Sequence, residues 1–226
     1  MKLEVIATSI ADVKAISQSQ ADRIEYCHTM VDGGLTPKIK EVKQALLLPD
    51  HQPINVMIRP NAKSFAYSWL AYQRMKWSVY QFAKTDVNGF VLGILKKGSN
   101  EIDEKRLKKL VKIAQKQSKE LVFHRAIDQV PSYSQALDTL KSLGFKTILT
   151  TGGHQAITKN FTTLDQLQKM HKVIILAGGG INRDNAKEVS LHVDELHVGS
   201  SVRVNGWDSS IDIEKINQIK KLIEKG

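Results

Sequence analysis

The chain has 226 residues and a formal net charge of +10, and its 42% of apolar residues exclude a generally disordered protein. One cysteine excludes an internal disulfide, and no apolar stretch approaches membrane-spanning length, so the composition predicts a cytoplasmic protein without a membrane partner. Most of the excess positive charge lies at residues 105–119 and 215–225, which lack the interleaved aromatic residues of a nucleic-acid site and are expected to be solvated helix faces.

Strands and helices are predicted to alternate through the first half of the chain. The predicted strands cover residues 3–7, 23–27, 54–58 and 89–95, which are short apolar runs bounded by turn or cap residues. Ser9 is expected to cap the first helix, with Asp12 as its acidic partner, and Thr36 with Pro37 is expected to begin the second. The next two helices are predicted at residues 64–83 and 103–118.

The second half continues the same alternation. Its predicted strands are residues 121–124, 147–150, 173–176 and 195–198, and its predicted helices are residues 133–143, 163–170, 183–190 and the segment from residue 211. About eight strand–helix repeats predict an α/β fold closed into a (β/α)8 TIM barrel, with residues 1–226 as a single domain. Residues 7–9 lack the glycine fingerprint that the open dinucleotide-binding alternative needs after its first strand.

Two glycine-containing turns follow the last two predicted strands. The first contains Gly178, Gly179 and Gly180, and the second contains Gly199, Ser200 and Ser201. Such turns let backbone N–H groups approach a ligand, and in TIM barrels they commonly hold a phosphate at the C-terminal face. The sequence therefore predicts a small anionic ligand, phosphate or carboxylate, at the barrel mouth, and no organic cofactor is expected.

Several predicted strands carry polar residues where a barrel normally has valine, isoleucine and leucine. These residues come from five strands and are Glu4, Arg23, Glu25, Cys27, Arg59, His124, Arg125, Glu195 and His197. Because buried charge is costly unless it is paired, two interpretations stay open. One is an ion-pair network inside the barrel, for example Glu4 and Glu25 against Arg59 and Arg125. The other is a site for a polar or anionic ligand.

The densest polar cluster follows the fifth strand and consists of His124, Arg125 and Asp128. A histidine near a carboxylate can act as a general acid or base, because its pKa lies near neutrality. Arg125 could bind a carboxylate or phosphate with two hydrogen bonds.

A metal site is a further hypothesis. Cys27, His28 and Met30 are soft or borderline ligands within four residues, and soft ligands suit Cu(I). The alternative for Cys27 is a small buried apolar side chain, and the methionines also suit packing. The paired Cys and His spacings of a zinc site are absent from the sequence.

Segments in order along nearly the whole chain resemble the CutC family. They are residues 21–27, 33–37, 57–60, 123–128, 149–152, 178–181 and 195–197. The resemblance implies a cytoplasmic (β/α)8 barrel with a role in copper homeostasis, and Cys27 matches the family's proposed copper thiolate. The family's Arg-Gly-Gly-Asp reads Asn61, Ala62, Lys63 and Ser64 in this chain.

Two functions therefore stay open. The first is copper homeostasis, in which Cys27 binds Cu(I) with help from a nearby His or Met, or from Cys27 of another subunit in a homo-oligomer. The second is an enzyme acting on a small phosphorylated or carboxylated compound. Its candidate proton-transfer residues are Glu25, His124 and Asp128, and its charge-binding residues are Arg59 and Arg125. His197 is a further candidate catalytic residue.

Overall fold

The computed structural model describes residues 1–30 and 33–224 and contains a closed barrel of eight parallel strands, as the alternating pattern predicts. The strands are β1 (Lys2–Ala7), β2 (Arg23–Tyr26), β3 (Ile54–Met57), β4 (Gly89–Leu92), β5 (Glu120–Phe123), β6 (Thr147–Thr150), β7 (Ile174–Gly178) and β8 (Glu195–Val198). Each strand pairs with its neighbours in chain order, and β8 pairs with β1 to close the barrel, with Glu4 beside His197.

A helix follows each strand and covers the outside of the barrel. The helices are α1 (Ile10–Ser17), α2 (Ile39–Ala45), α3 (Trp69–Ala83), α4 (Glu104–Gln115), α5 (Tyr133–Leu143), α6 (Phe161–Lys169), α7 (Ala186–Val189) and α8 (Ile213–Glu224). Lys225, the end of the predicted basic segment, lies outside the described residues. No helix in residues 1–30 or 33–224 is long and apolar enough to cross a membrane.

Side-chain caps fix where several helices begin. Ser9 accepts a hydrogen bond from the Asp12 N–H, as predicted, and Ser68 caps α3 in the same way. The third helix was predicted from Ser64 and instead begins after Ser68, so residues 64–68 belong to the loop after β3. The second helix begins at Ile39 rather than at Thr36, because the Thr36 hydroxyl accepts the Arg59 N–H at 2.7 Å and is not available as a cap.

The apolar core has two parts. The larger part lies between the strands and the helices, and a smaller cluster inside the barrel consists of Ile6, Cys27, Met57, Val91, Val122, Leu149 and Leu176. Because side chains alternate along a strand, Arg23 and Glu25 share the inward face of β2 with Cys27. The sequence could not show whether these three side chains point into the barrel or towards the helices. In the structure they point into the barrel.

An ion-pair network lies deep inside the barrel, across its closing seam. Arg23 of β2 pairs with Glu4 of β1 and, through Nη2 at 2.6 Å, with Glu195 of β8. All three side chains are buried. The internal network that the sequence left open is therefore present, but its cation is Arg23, and Arg59 and Arg125 lie elsewhere.

Candidate functional site

A cavity of about 800 Å³ opens at the C-terminal ends of the strands. The sequence-predicted residues that line it are Glu25, Cys27, Arg59, His124, Arg125, Asp128, Gly179, Gly180, His197, Gly199, Ser200 and Ser201. Gly178 does not line it: it ends β7, where a Cβ would lie 2.7 Å from Leu149 Cδ1 and 3.0 Å from His197 Cδ2. Gly178 therefore makes room for the His197 ring and is not among the residues facing a ligand.

His197 joins two carboxylates at the wall of this cavity. Its Nδ1 lies 2.7 Å from Glu4 Oε1, and its Nε2 lies 3.3 Å from Glu25 Oε2. All three side chains are buried, although Glu25 and His197 reach the cavity. Because the ring uses one nitrogen for each carboxylate, His197 couples Glu25 to the deeper Glu4.

Burial and pairing shift the pKa of each group differently. Burial opposes ionisation of Glu4, but Arg23 and His197 outweigh it and lower the pKa of Glu4 to about 2. Burial raises the pKa of Glu25 to about 7, and the nearby His197 offsets only part of this effect. Burial lowers the pKa of His197, but Glu25 and Glu4 more than compensate, so this pKa is raised overall. Glu4 is therefore the fixed anion, and Glu25 is the carboxyl group that can gain or lose a proton near neutral pH.

Cys27 lies beside Glu25 and is held as a thiol. Its Sγ donates to Glu25 Oε1 at 3.7 Å, and burial followed by the charge of Glu25 raises the pKa of Cys27 well above its ordinary value. A Cβ on Gly34 would lie 3.0 Å from Cys27 Sγ and 3.4 Å from Met30 Sδ, so this glycine leaves space for both sulfur atoms. His28 is exposed and does not line the cavity, which removes it from the predicted ligand group.

His124 lines the cavity but is not paired with Asp128, contrary to the expectation from their spacing. Its Nδ1 accepts the N–H of Ala126 at 3.2 Å, and its Nε2 has no hydrogen-bond partner in the described part of the chain. The Phe65 ring lies 4.8 Å away. Burial and then the charge of Arg59 lower the pKa of His124 to about 3. The imidazole is therefore neutral.

Asp128 instead holds Arg125. The Arg125 Nε donates to Asp128 Oδ2 at 3.1 Å, and the carboxylate also accepts from the Thr150 hydroxyl and, at 3.0 Å, from the Thr151 hydroxyl. A Cβ on Gly179, which has φ of 101°, would meet Arg125 Nη1 at 3.3 Å. The guanidinium therefore lies against the turn after β7, and the predicted cation and the predicted glycine turn meet at one place.

Arg59 is held by the loops after β2 and β3. Its Nη1 donates to the Gly34 carbonyl at 3.2 Å, its Nη2 donates to the Ala62 carbonyl at 3.5 Å, and its guanidinium lies 5.0 Å from the Phe65 ring centre. It thus brings positive charge to the same side of the cavity as His124.

Some residues of the site were not predicted. Phe65 and Trp207 line the cavity, and Thr150 and Thr151 hold Asp128 in place. Trp207 follows an Asn-Gly pair in the loop after β8. An aromatic residue beside this turn was the feature of the sequence that could have identified it as part of the site. The two threonines belong to the family-like segment 149–152, but their residue type gave no sign of a role in the site, because threonine is an ordinary strand residue.

Comparisons with known proteins agree with this barrel. A model of the CutC family matches residues 1–202. A CutC family protein from Treponema denticola is 36% identical over 90% of this chain and 82% of that protein, and one from Glaesserella parasuis is 31% identical over 99% and 98%. A crystal structure of CutC from Streptococcus agalactiae, named there as a proposed copper homeostasis protein, has a TM-score of 0.82 at 28% identity, over 88% of this chain and 98% of that one.

Proposed function

The chain belongs to the CutC family, and we propose that it is an enzyme that transfers protons on a small phosphorylated or carboxylated compound bound at the barrel mouth. One observation carries this proposal. The Glu25–His197 pair stands at the wall of a cavity of about 800 Å³, and at the same cavity Arg125 lies against the Gly179 backbone. A proton-transfer group and an anion-binding group that face one space are the minimum that such an enzyme needs.

The proton-transfer part depends on His197 and its two carboxylates. The Glu4 carboxylate accepts from Nδ1 at 2.7 Å, which turns the second ring nitrogen to Glu25 at 3.3 Å. A proton can then reside on Nε2 or on Glu25, and the raised pKa of Glu25 brings this exchange near neutral pH. A carboxyl group of this kind can take up and return a proton at a bound ligand.

The anion-binding part depends on Arg125. Asp128 and Thr151 fix the guanidinium beside Gly179, and half of the Arg125 side chain remains exposed. Guanidinium groups bind phosphate and carboxylate oxygens with paired, charge-assisted hydrogen bonds. Phosphate is therefore the probe that tests this part of the site.

Inorganic phosphate is expected to stabilise the protein. At ten times its Kd it should add about 1.4 kcal/mol, which raises Tm by about 3–6 °C in a thermal unfolding assay. Arg125→Met should abolish the increase, whereas Arg74→Met, at an exposed position on α3, should retain it. If millimolar phosphate leaves Tm of the unsubstituted protein unchanged, the proposal is wrong.

Cu(I) binding is the second candidate, and the neighbouring sulfur atoms of Cys27 and Met30 favour it. Met57 belongs to the same internal cluster, so a thiol and two thioethers are available as soft ligands. These donors fit Cu(I), but the thiol must first lose its proton, and its pKa is raised. The name of the Streptococcus agalactiae protein, a proposed copper homeostasis protein, also supports this candidate.

A competition titration with a Cu(I) chelator tests this candidate. We expect one Cu(I) per chain, with an affinity that rises about tenfold per pH unit below the thiol pKa, because binding releases a proton. Cys27→Ser should abolish binding, and Met170→Leu, outside the cavity, should not. Unchanged Cu(I) binding in Cys27→Ser would exclude this site.

A further inference from the structure

His124 is a polar side chain at this cavity whose role the proton-transfer pair and the anion site leave unexplained. It is 2% exposed, it lines the cavity, and its Nε2 has no hydrogen-bond partner within residues 1–30 and 33–224. Buried polar atoms in native proteins are almost always hydrogen-bonded. Since His124 lines the cavity, a ligand bound there is a candidate partner for this nitrogen.

The local backbone fixes what this nitrogen can do. The N–H of Ala126 donates to Nδ1 at 3.2 Å, so Nδ1 carries no proton and the neutral ring carries its proton on Nε2. Gly93 packs against the Cε1–Nδ1 edge of the ring, where a Cβ would lie 2.6 Å from Cε1 and 2.7 Å from Nδ1. The ring is thus held in one orientation as a hydrogen-bond donor.

The described side chains that contact or act on His124 are also unable to accept a hydrogen bond from a ligand. Phe65 and Phe123 have rings 4.8 Å and 5.8 Å from the imidazole, and the charged group that acts on it is the Arg59 guanidinium. Arginine carries only donors. A ligand atom at Nε2 therefore meets donors and apolar side chains in the described part of the chain, which favours an oxygen that accepts without donating.

We propose that His124 donates its Nε2–H to a carbonyl-type oxygen of the ligand, so that the substrate carries a C=O group in addition to the anion held at Arg125. This inference rests on the proposed function and specifies its substrate class: a phosphorylated ketone, aldehyde or carboxylate. A hydroxyl group is a poorer fit, because the side chains of Phe65, Phe123 and Arg59 offer its proton no acceptor, and the Gly34 and Ala62 carbonyls already accept from Arg59. A neutral donor in a buried site also keeps the carbonyl polarised without adding a second charge.

Binding of matched phosphate esters tests this inference. For each chain length from three to six carbons, the set contains a ketose phosphate, a phosphorylated aldonate and the alditol phosphate, which lacks C=O; for three carbons these are dihydroxyacetone phosphate, 3-phosphoglycerate and glycerol 3-phosphate. We expect at least one C=O compound to bind tenfold or more tightly than its alditol phosphate. If the ketose phosphate binds more tightly than the phosphorylated aldonate, the substrate is a ketone; the reverse order indicates a carboxylate.

Two variants assign the preference to His124. His124→Asn retains an acceptor for the Ala126 N–H but leaves no donor at the Nε2 position, and it should remove the tenfold preference. His124→Gln can place an amide N–H near that position and should restore part of it. In nitrogen-15 NMR spectra, His124 should show a neutral ring protonated on Nε2 from pH 5 to pH 9.

The outcomes separate the two proposals. If inorganic phosphate stabilises the protein but every C=O compound binds no better than its alditol phosphate, the role of His124 is wrong and the anion site stands. A ring protonated on Nδ1, or a preference retained in His124→Asn, also overturns the inference. If phosphate itself has no effect, the proposed function fails, and this inference fails with it.

Discussion

His124 shows how burial fixes the protonation state of a single residue. Its pKa falls from an ordinary 6.5 to about 3, with burial as the larger cause and Arg59 as the second. Below pH 6.5 the unfolded chain gains a proton on this residue that the folded chain does not bind. The stabilising contribution is therefore complete above about pH 6.5 and is lost as the pH falls towards 3.

A comparison of pH profiles measures this contribution. Between pH 6 and pH 4, the free energy of unfolding of the unsubstituted protein should fall by about 1.4 kcal/mol per pH unit more than that of His124→Asn. Urea denaturation at each pH gives both values. Because Glu4 and Glu25 titrate in both proteins, their effects cancel in the difference, and parallel profiles would contradict the buried neutral ring.

The sequence predicted which residues line the cavity better than it predicted their partners. His124 was expected beside Asp128, which is four positions away, but its Nδ1 is taken by the Ala126 N–H. The histidine that does contact carboxylates is His197, and 193 residues separate it from Glu4. Such a pair forms only because β8 closes on β1, and a local sequence pattern contains no information about that distance in space.

At the scale of elements, a buried ion pair ties the loop after β8 to α1. Arg203 donates to Asp12 Oδ2 at 2.5 Å and to the Ser209 carbonyl at 2.7 Å, and its guanidinium lies 5.3 Å from the Trp207 ring centre. Asp12 also accepts the Thr8 N–H. The pair therefore fixes the loop that carries Ser200, Ser201 and Trp207 to the cavity.

Asp12→Asn is expected to destabilise the protein by about 3–5 kcal/mol, because it leaves a buried guanidinium without its counter-charge. Adding Arg203→Met to Asp12→Asn should recover part of this loss, so the double variant should be more stable than the sum of the single variants predicts. A double-mutant cycle by urea denaturation gives the coupling energy. Additive losses would show that the two side chains do not depend on each other.

Helix ends show where local signals are reliable. Residues 133–143 were predicted as a helix and form α5, because Ser132 caps its start and Gly144 takes φ of 91° at its end. Thr36 was a plausible cap in the sequence, yet its hydroxyl accepts the Arg59 N–H from a different loop. A cap residue fails as a signal when tertiary structure gives its side chain another partner.

At the scale of the whole molecule, buried charge holds the barrel closed. Arg23 connects β2 to Glu4 on β1 and to Glu195 on β8, and His197 adds a second connection from β8 to β1. Outside the barrel, Lys220 of α8 donates to Asp22 at 2.7 Å and to the Met1 carbonyl at 2.9 Å. The first and last strand–helix units are thus joined by charged side chains both inside and outside the barrel.

Arg23→Met should lower the free energy of unfolding by about 3–5 kcal/mol, because Glu4 and Glu195 would remain buried without their cation. Lys2→Met is the matched control. Lys2 also lies near Glu195, at 3.8 Å, but its side chain is 61% exposed, so its removal should cost less than about 1 kcal/mol. Equal losses in the two variants, measured by urea denaturation, would refute the importance of the buried network.

The barrel was predictable because it depends on an alternation that each strand and helix displays locally, and the structure confirms all eight repeats. The inward direction of Arg23, Glu25 and Cys27 was not predictable, since a two-residue period assigns residues to a face without saying which face is inside. The expected homo-oligomer and the cytoplasmic location stay predictions.

The seam also sets an order of events during synthesis on the ribosome. Glu4 can meet Arg23 early, because 19 residues separate them, but His197 follows Glu4 by 193 residues. At about 5–20 residues per second, that is a wait of about 10–40 s. During this time β1 of the nascent chain has one unpaired edge, which can pair with other chains. A ribosome that stalls before residue 195 is therefore expected to leave β1 without its β8 partner and available for pairing with other chains.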